Sequence, residues 1–198
     1  MEVTYIRMGV GVSVVRKASL ILITLLAFLG CKKVDDFGFT TYLIKKCKHK
    51  STYAYKTTKS ELIQFQTIFD GSAIYTTKDS LNQYDINKLY GVSDCGCNHM
   101  DYSIRFGWRW LDDNLEIHWF RHSNGDFTFD KITDAIIDQP QDYSIEIQED
   151  QYILCVDNIC DTVARVGCSS VDYRRYYLYP YFGGQEKAPH DITIKIKK

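Results

Sequence analysis

Ser103-Ile104-Arg105-Phe106-Gly107-Trp108-Arg109-Trp110 alternates without a break between apolar residues and polar or small ones. In an extended chain Ile104, Phe106, Trp108 and Trp110 fall on one side, and Ser103, Arg105, Gly107 and Arg109 on the other. A period of two marks a strand that buries one face and offers the other to solvent or ligand. Helical geometry would scatter the same four apolar side chains around the axis. Asp112-Asp113-Asn114 then reads as a turn, and Leu115 to His122 resumes the pattern, with Leu115, Ile117 and Trp119 against Glu116, His118 and His122. The stretch is an antiparallel hairpin, and it sets the fold class.

The same period extends outward on both sides. Tyr143, Ile145 and Ile147 alternate with Ser144, Glu146 and Gln148, and Ile192, Ile194 and Ile196 with Asp191, Thr193 and Lys195. Turn signals at Ser123-Asn124-Gly125, Glu149-Asp150 and Asp157-Asn158 divide the chain into two runs of hairpins, near 102–130 and 143–166. After residue 60 only Asp85 to Tyr90 suggests a short helix. Strands with one apolar face bury it by stacking two sheets or by closing a barrel. The expectation is an all-β, two-sheet antiparallel sandwich with Phe65, Phe69, Phe106, Trp108, Leu115, Ile117, Trp119, Ile145, Ile147, Leu154, Ile192 and Ile194 inward. Aromatic content of 14%, mostly 15 tyrosines and 10 phenylalanines, agrees with strands rather than a helical bundle.

Charge narrows the partners. A net charge of −1 provides no global field for nucleic acid. The lysines at 45, 46, 48, 50, 56 and 59 form a local run that reads as a solvated stalk.

Before the strands, Arg16 and Lys17 precede the apolar run Leu20–Leu29, which ends in Gly30-Cys31. The run has the length of a secretory core rather than a membrane span. Gly30-Cys31 resembles the lipobox of bacterial lipoproteins. That resemblance implies cleavage before Cys31, lipidation of its sulfur and a membrane anchor, whether translation starts at Met1 or Met8. Cys31-Lys-Lys-Val-Asp-Asp36 resembles the acidic segment that directs Bacteroidota lipoproteins to the cell surface. The implied address is the bacterial cell envelope, as an outer-membrane lipoprotein. The organisation expected is a signal peptide over 1–30, a lysine-rich tether over 31–60 and a β-sandwich domain over 61–198.

Cys47, Cys95, Cys97, Cys155, Cys160 and Cys168 remain, an even set in an exported chain, which favours disulfides. If Asp157-Asn158 turns the hairpin, Val156 faces Ile159, and Cys155 faces Cys160 at the next pair, where side chains approach closely. Cys95 or Cys97 is expected to bridge to Cys168 or Cys47. Cys95-x-Cys97-x-His99 has zinc-ligand types but lacks a fourth ligand.

Four segments resemble a group of Bacteroidota lipoproteins without assigned activity. They are Phe69-Asp-Gly-Ser-Ala-Ile-Tyr75, Asp85-Ile-Asn-Lys-Leu-Tyr-Gly-Val-Ser-Asp-Cys95, Arg105-Phe-Gly-Trp-Arg-Trp110, and Tyr179-Pro-Tyr-Phe-Gly-Gly184 followed by Ala188-Pro-His-Asp-Ile-Thr-Ile194. The resemblance implies a concanavalin-like jelly roll, a fold that hosts lectins, glycan hydrolases and polysaccharide lyases. It also makes structural calcium a possibility through Asp191, with no other cofactor expected and no metal residues assigned.

The polar faces form the candidate site. Arg105 and Arg109, then Glu116, His118 and His122, then Tyr173, Arg175, Tyr177, Tyr179 and Tyr181 make rows of cations, imidazoles and phenols, suited to stacking sugar rings and pairing with uronate carboxylates. The primary expectation is a non-catalytic, carbohydrate-directed binding domain. One alternative is a polysaccharide lyase using Arg105 and Arg109 to neutralise the carboxylate, His118 as base and Tyr177 as proton donor. Leu115-Glu-Ile-His118 resembles the Gln-Ile-His segment of jelly-roll alginate lyases in its histidine, but their Arg-Thr-Glu-Leu segment has no counterpart. The other alternative is a structural or protein-binding surface lipoprotein. The oligomeric state is left open.

Overall fold

A computed structural model of the chain describes Met1, 34–168 and 170–198. The signal segment and Cys31 lie outside the described residues. Twelve strands follow in order among those described: β1 (Thr40–Ile44), β2 (Thr57–Thr58), β3 (Leu62–Phe69), β4 (Asn87–Ser93), β5 (Ser103–Leu111), β6 (Asn114–Ser123), β7 (Asp126–Ala135), β8 (Gln141–Ile147), β9 (Gln151–Val156), β10 (Ile159–Ala164), β11 (Arg175–Leu178) and β12 (Ile192–Lys197). They form two six-stranded antiparallel sheets, ordered β1-β12-β3-β8-β9-β10 and β2-β11-β4-β5-β6-β7. The architecture is the all-β, two-sheet antiparallel sandwich that the alternating pattern predicts, in the jelly-roll form that the resemblance implies.

Turn chemistry fixes the central register. Asp112 and Asp113 take φ of 49° and 60°, and Asn124 and Gly125 take 54° and 85°. Left-handed residue pairs match the twist of a tight hairpin, so Leu111 pairs with Asn114 and Ser123 with Asp126. Ile104, Phe106, Trp108, Leu115 and Ile117 are thereby aimed at the opposing sheet, where they pack with Phe65, Phe69, Ile145, Ile147, Leu154, Ile192 and Ile194. Trp119 is on the same face but only partly buried, because its indole Nε1 donates to Asp161 Oδ2 at 2.7 Å at the sandwich margin.

Two expectations need correction. The helix expected over Asp85–Tyr90 is absent: a short 3₁₀ turn at Ser80–Tyr84 is followed by the strand β4. A bulge between Lys88 and Gly91 lets Leu89 and Tyr90 both enter the core, which disguises the period of two. The 31–60 segment is not only a tether, since it supplies β1 and β2. Tyr42 and Ile44 of β1 are buried, and this short alternation is masked in sequence by the lysines that follow.

At one end of the sandwich a buried ionic cluster locks the chain. Asp94 accepts from Arg165 Nε at 2.7 Å, Arg175 Nε at 2.9 Å and the Tyr152 hydroxyl at 2.7 Å. Beside it Cys95 is bonded to Cys168, while Cys155 is bonded to Cys160 across the β9–β10 hairpin. Cys47 and Cys97 are free and exposed.

Candidate ligand groove

Strand register decides which side chains share the outer face of the second sheet. Paired residues in an antiparallel ladder point the same way. One row across β11, β4, β5, β6 and β7 is Leu178, Gly91, Arg105, Phe120 and Phe129. The next is Ser93, Ser103, His122 and Phe127, and a third is Lys88, Gly107, His118 and Lys131. The missing Gly91 side chain opens the space beside Arg105. Loops carrying Lys50, His99 and Tyr181 close over these rows to form a cavity of about 560 Å³. That volume is within the usual range for small-molecule sites.

Arg105 dominates the cavity. Only 7% of it is exposed, its Nε has no hydrogen-bond partner, and among the described residues it forms no ion pair. Its guanidinium lies 5.5 Å from the centroid of Phe120, and Lys88 Nζ lies 4.3 Å from the same ring on the way to the Ile86 carbonyl. Burial pushes Arg105 down to about 10 and, with help from the Arg105 charge, Lys88 down to about 8. Arg105 is therefore a cation at neutral pH and Lys88 largely so. Asp85 is the one carboxylate residue among the lining residues, and its Oδ2 already accepts from Gln185 N–H at 3.2 Å. A buried guanidinium without an acidic partner is costly unless a ligand supplies one.

The apolar wall is aromatic. Phe120 stacks with Phe127 at 5.4 Å and with Phe129 at 6.0 Å, the planes within 12° and 2° of parallel. Phe127 and Phe129 are 58% and 39% exposed, an unusual state for rings so well aligned and one suited to a flat ligand face.

His122 lies beneath the wall. Ser103 Oγ donates to the His99 carbonyl at 2.8 Å, so its 3.2 Å contact with His122 is one in which Nδ1–H donates. Nε2 is left as the unprotonated nitrogen. Burial first, then the charges of Arg105, His99 and Lys88, push this imidazole down to about 4, so it is neutral at physiological pH. His99 Nδ1 is 3.1 Å from the Tyr176 hydroxyl, which also accepts the His99 backbone N–H at 2.7 Å.

Other sequence-predicted residues are placed differently. Glu116 Oε2 is 2.6 Å from Arg109 Nε and 3.1 Å from His118 Nε2, and its Oε1 is 3.3 Å from Lys131 Nζ. Arg109 also donates to the Tyr84 carbonyl at 3.0 Å. Burial holds His118 below its ordinary value despite Glu116. Arg109, Glu116 and His118 thus form an ion-paired cluster beside the cavity, outside its lining, in which His118 Nδ1 has no hydrogen-bond partner. Tyr177 and Tyr179 pack towards the core, Tyr177 pairing with core residue Val92 and both tyrosines packing on the buried Tyr90, and they line a separate hollow next to Arg105 rather than this cavity. Tyr176 of that strand lies beside His99 at the edge of the cavity, hydrogen-bonded through its backbone N–H to Ser93 Oγ at 3.0 Å.

Of the predicted rows, Arg105, His122 and Tyr181 are therefore brought together in this cavity; Lys50, Lys88, His99 and the phenylalanine stack are additions, as is Tyr176 beside His99. Phe120 carried a sequence signal, since it occupies the polar parity of β6 between His118 and His122.

Metal-ligand chemistry finds no fitting donor set among the described residues. Asp94, Cys95 and Cys168 cluster closely, but the two sulfurs are bonded to each other and the carboxylate is held by two arginines. The zinc-like run does not converge either, because Cys95 is in a disulfide and His99 turns to Tyr176. Asp191 Oδ1 instead accepts the Lys46 backbone N–H at 2.7 Å.

No protein-family model and no curated protein matches this sequence. Solved structures do resemble it in fold. The alginate lyase AlyC3 superposes with a TM-score of 0.56 at 11% identity, over 83% of this chain and 75% of that one. A family GH16 endo-glucanase from Bacteroides ovatus gives 0.54 at 9% identity, over 83% and 80%. SCLam, a non-specific endo-beta-1,3(4)-glucanase from family GH16, gives 0.52 at 12% identity, over 80% and 69%. At such low identities the likeness establishes a shared jelly-roll sandwich, and the chemistry of this groove has to be argued from its own residues.

Proposed function

We propose that the groove binds an acidic carbohydrate, with a uronate carboxylate on Arg105 and sugar faces on the Phe120, Phe127 and Phe129 stack. The observation that carries this reading is the buried, unpaired guanidinium of Arg105 in a cavity lined by two further cations, Lys50 and Lys88. A carboxylate offers the bidentate geometry that a guanidinium matches best. Flat aromatic walls favour a ring-bearing anion over a small inorganic one. The carbohydrate-active sandwiches of similar fold support the reading. The test is a panel of acidic and neutral oligosaccharides presented to the full chain. Retention of uronate-containing members is expected, and equal retention of neutral ones would contradict the proposal.

A second reading, elimination, is favoured by one observation: the unprotonated Nε2 of neutral His122 lies in the same cavity as Arg105. In that case His122, rather than His118, takes the proton next to the carboxylate and a tyrosine at Tyr176 or Tyr181 protonates the departing oxygen. The C–O bond breaks as a C=C bond forms. Growth of unsaturated-uronate absorbance, lost in His122→Ala, would establish turnover. Hydrolysis by a carboxylate pair is disfavoured because Glu116 is fully engaged and no second free acid faces it among the described residues.

We also propose that Cys31 anchors the chain in a bacterial envelope membrane. Two or more acyl chains give stable attachment. Cys31→Ser is expected to move the protein out of the membrane fraction or leave it unprocessed, and unchanged fractionation would contradict the anchor.

A further inference from the structure

The cavity has a neighbour. A second hollow of about 390 Å³ adjoins Arg105, lined by Tyr53, Tyr55, Tyr176, Tyr177 and Tyr179 and sharing Lys50, His99, Arg105 and Tyr181 with the first. The two are lobes of one groove with Arg105 and Lys50 at the junction. Each lobe has its own aromatic platform. In the first it is the phenylalanine stack of β6 and β7. In the second, Tyr55 lies 5.6 Å from Tyr176 with the planes 32° apart, and Tyr53 stacks on Tyr179 at 4.7 Å. Tyr55 is 70% exposed and Tyr53 46%, and both come from the lysine-rich stretch before β2, with Tyr53 resting on the core residue Tyr179 and Tyr55 left open to solvent.

We infer that the ligand is an oligomer that threads both lobes, with an acidic unit seated at the Arg105–Lys50 junction and neighbouring rings on the two platforms. This rests on the acidic-carbohydrate reading above. A single sugar satisfies the cations but leaves one aromatic platform bare, whereas a chain of several units covers both. Stacking at each platform adds to affinity only when the chain is long enough to reach it.

The experiment is calorimetric titration of the full chain with mannuronate and galacturonate as mono-, di- and tetrasaccharides, repeated for Tyr55→Ala. Because Tyr55 is exposed, that variant is expected to keep the wild-type melting temperature. For the series that binds, affinity is expected to rise with length, and Tyr55→Ala to weaken the tetrasaccharide roughly fivefold to tenfold while leaving the monosaccharide unchanged. Equal affinity across lengths, or indifference of the tetrasaccharide to Tyr55→Ala, would overturn the two-lobe inference while leaving acidic-carbohydrate binding intact. No binding of any acidic member would overturn both.

Discussion

Gly91 of β4 lies directly opposite Arg105 of β5, so close that a Cβ at Gly91 would overlap the Arg105 Cβ and the Ile104 carbonyl oxygen. The bulge before Gly91 and the absent side chain together make room for a guanidinium in the middle of a sheet face. Gly91→Ala is expected to push β4 from β5 and displace Arg105. Overpacking of this kind typically costs about 1–3 kcal/mol. Chemical denaturation checks the stability, and loss of acidic-glycan binding by the folded fraction checks the displacement.

The two disulfides are expected to contribute unequally. Cys95 and Cys168 are 73 residues apart and Cys155 and Cys160 only 5. Loop-closure entropy then assigns roughly 4–5 kcal/mol to the first and about 2 kcal/mol to the second. Paired Cys→Ser variants of each, compared by denaturant midpoint, measure the difference. The first is also expected to weaken ligand binding, since it releases the 95–102 loop that carries His99 and Met100 to the groove.

Acid lability follows from the buried imidazole. The folded-state value of His122, about 4, is below the unfolded value near 6.5, so the unfolded chain takes up its proton first. The stability from this group is complete above pH 6.5 and is lost as pH falls towards 4. Between pH 7 and pH 5 the loss is about 2 kcal/mol. His99 and His118 are depressed in the same direction and add to it. His122→Asn is expected to flatten the profile of unfolding free energy between these pH values, and an unchanged slope would contradict the assignment.

The period of two made the sandwich legible because each hairpin carries its own register through its turn residues. Arg105 and His122 were legible for the same reason: both lie on the regular β5–β6 hairpin, where parity in sequence is parity in space. Tyr177 and Tyr179 were misread as an outward row because β11 is only four residues long and no turn fixes its register; they pack on Tyr90 and line only the second hollow. Its pairing with β4, distant in sequence, decides that Tyr176 faces the groove. Lys88 was hidden by the bulge beside Gly91, and Lys50 and His99 arrive on loops, which have no period to read.

The central claim is that Arg105 is paired by a ligand carboxylate, and it is tested most directly by one titration. An acidic oligosaccharide that binds the full chain is compared with its carboxyl-reduced counterpart, identical in rings and linkage, against wild type and Arg105→Met. Carboxyl reduction is expected to weaken wild-type binding at least tenfold, as befits a charge-assisted pair. Arg105→Met is expected to bind the acidic and reduced chains with nearly equal, weak affinity. Equal affinity of the wild type for both chains would contradict the account.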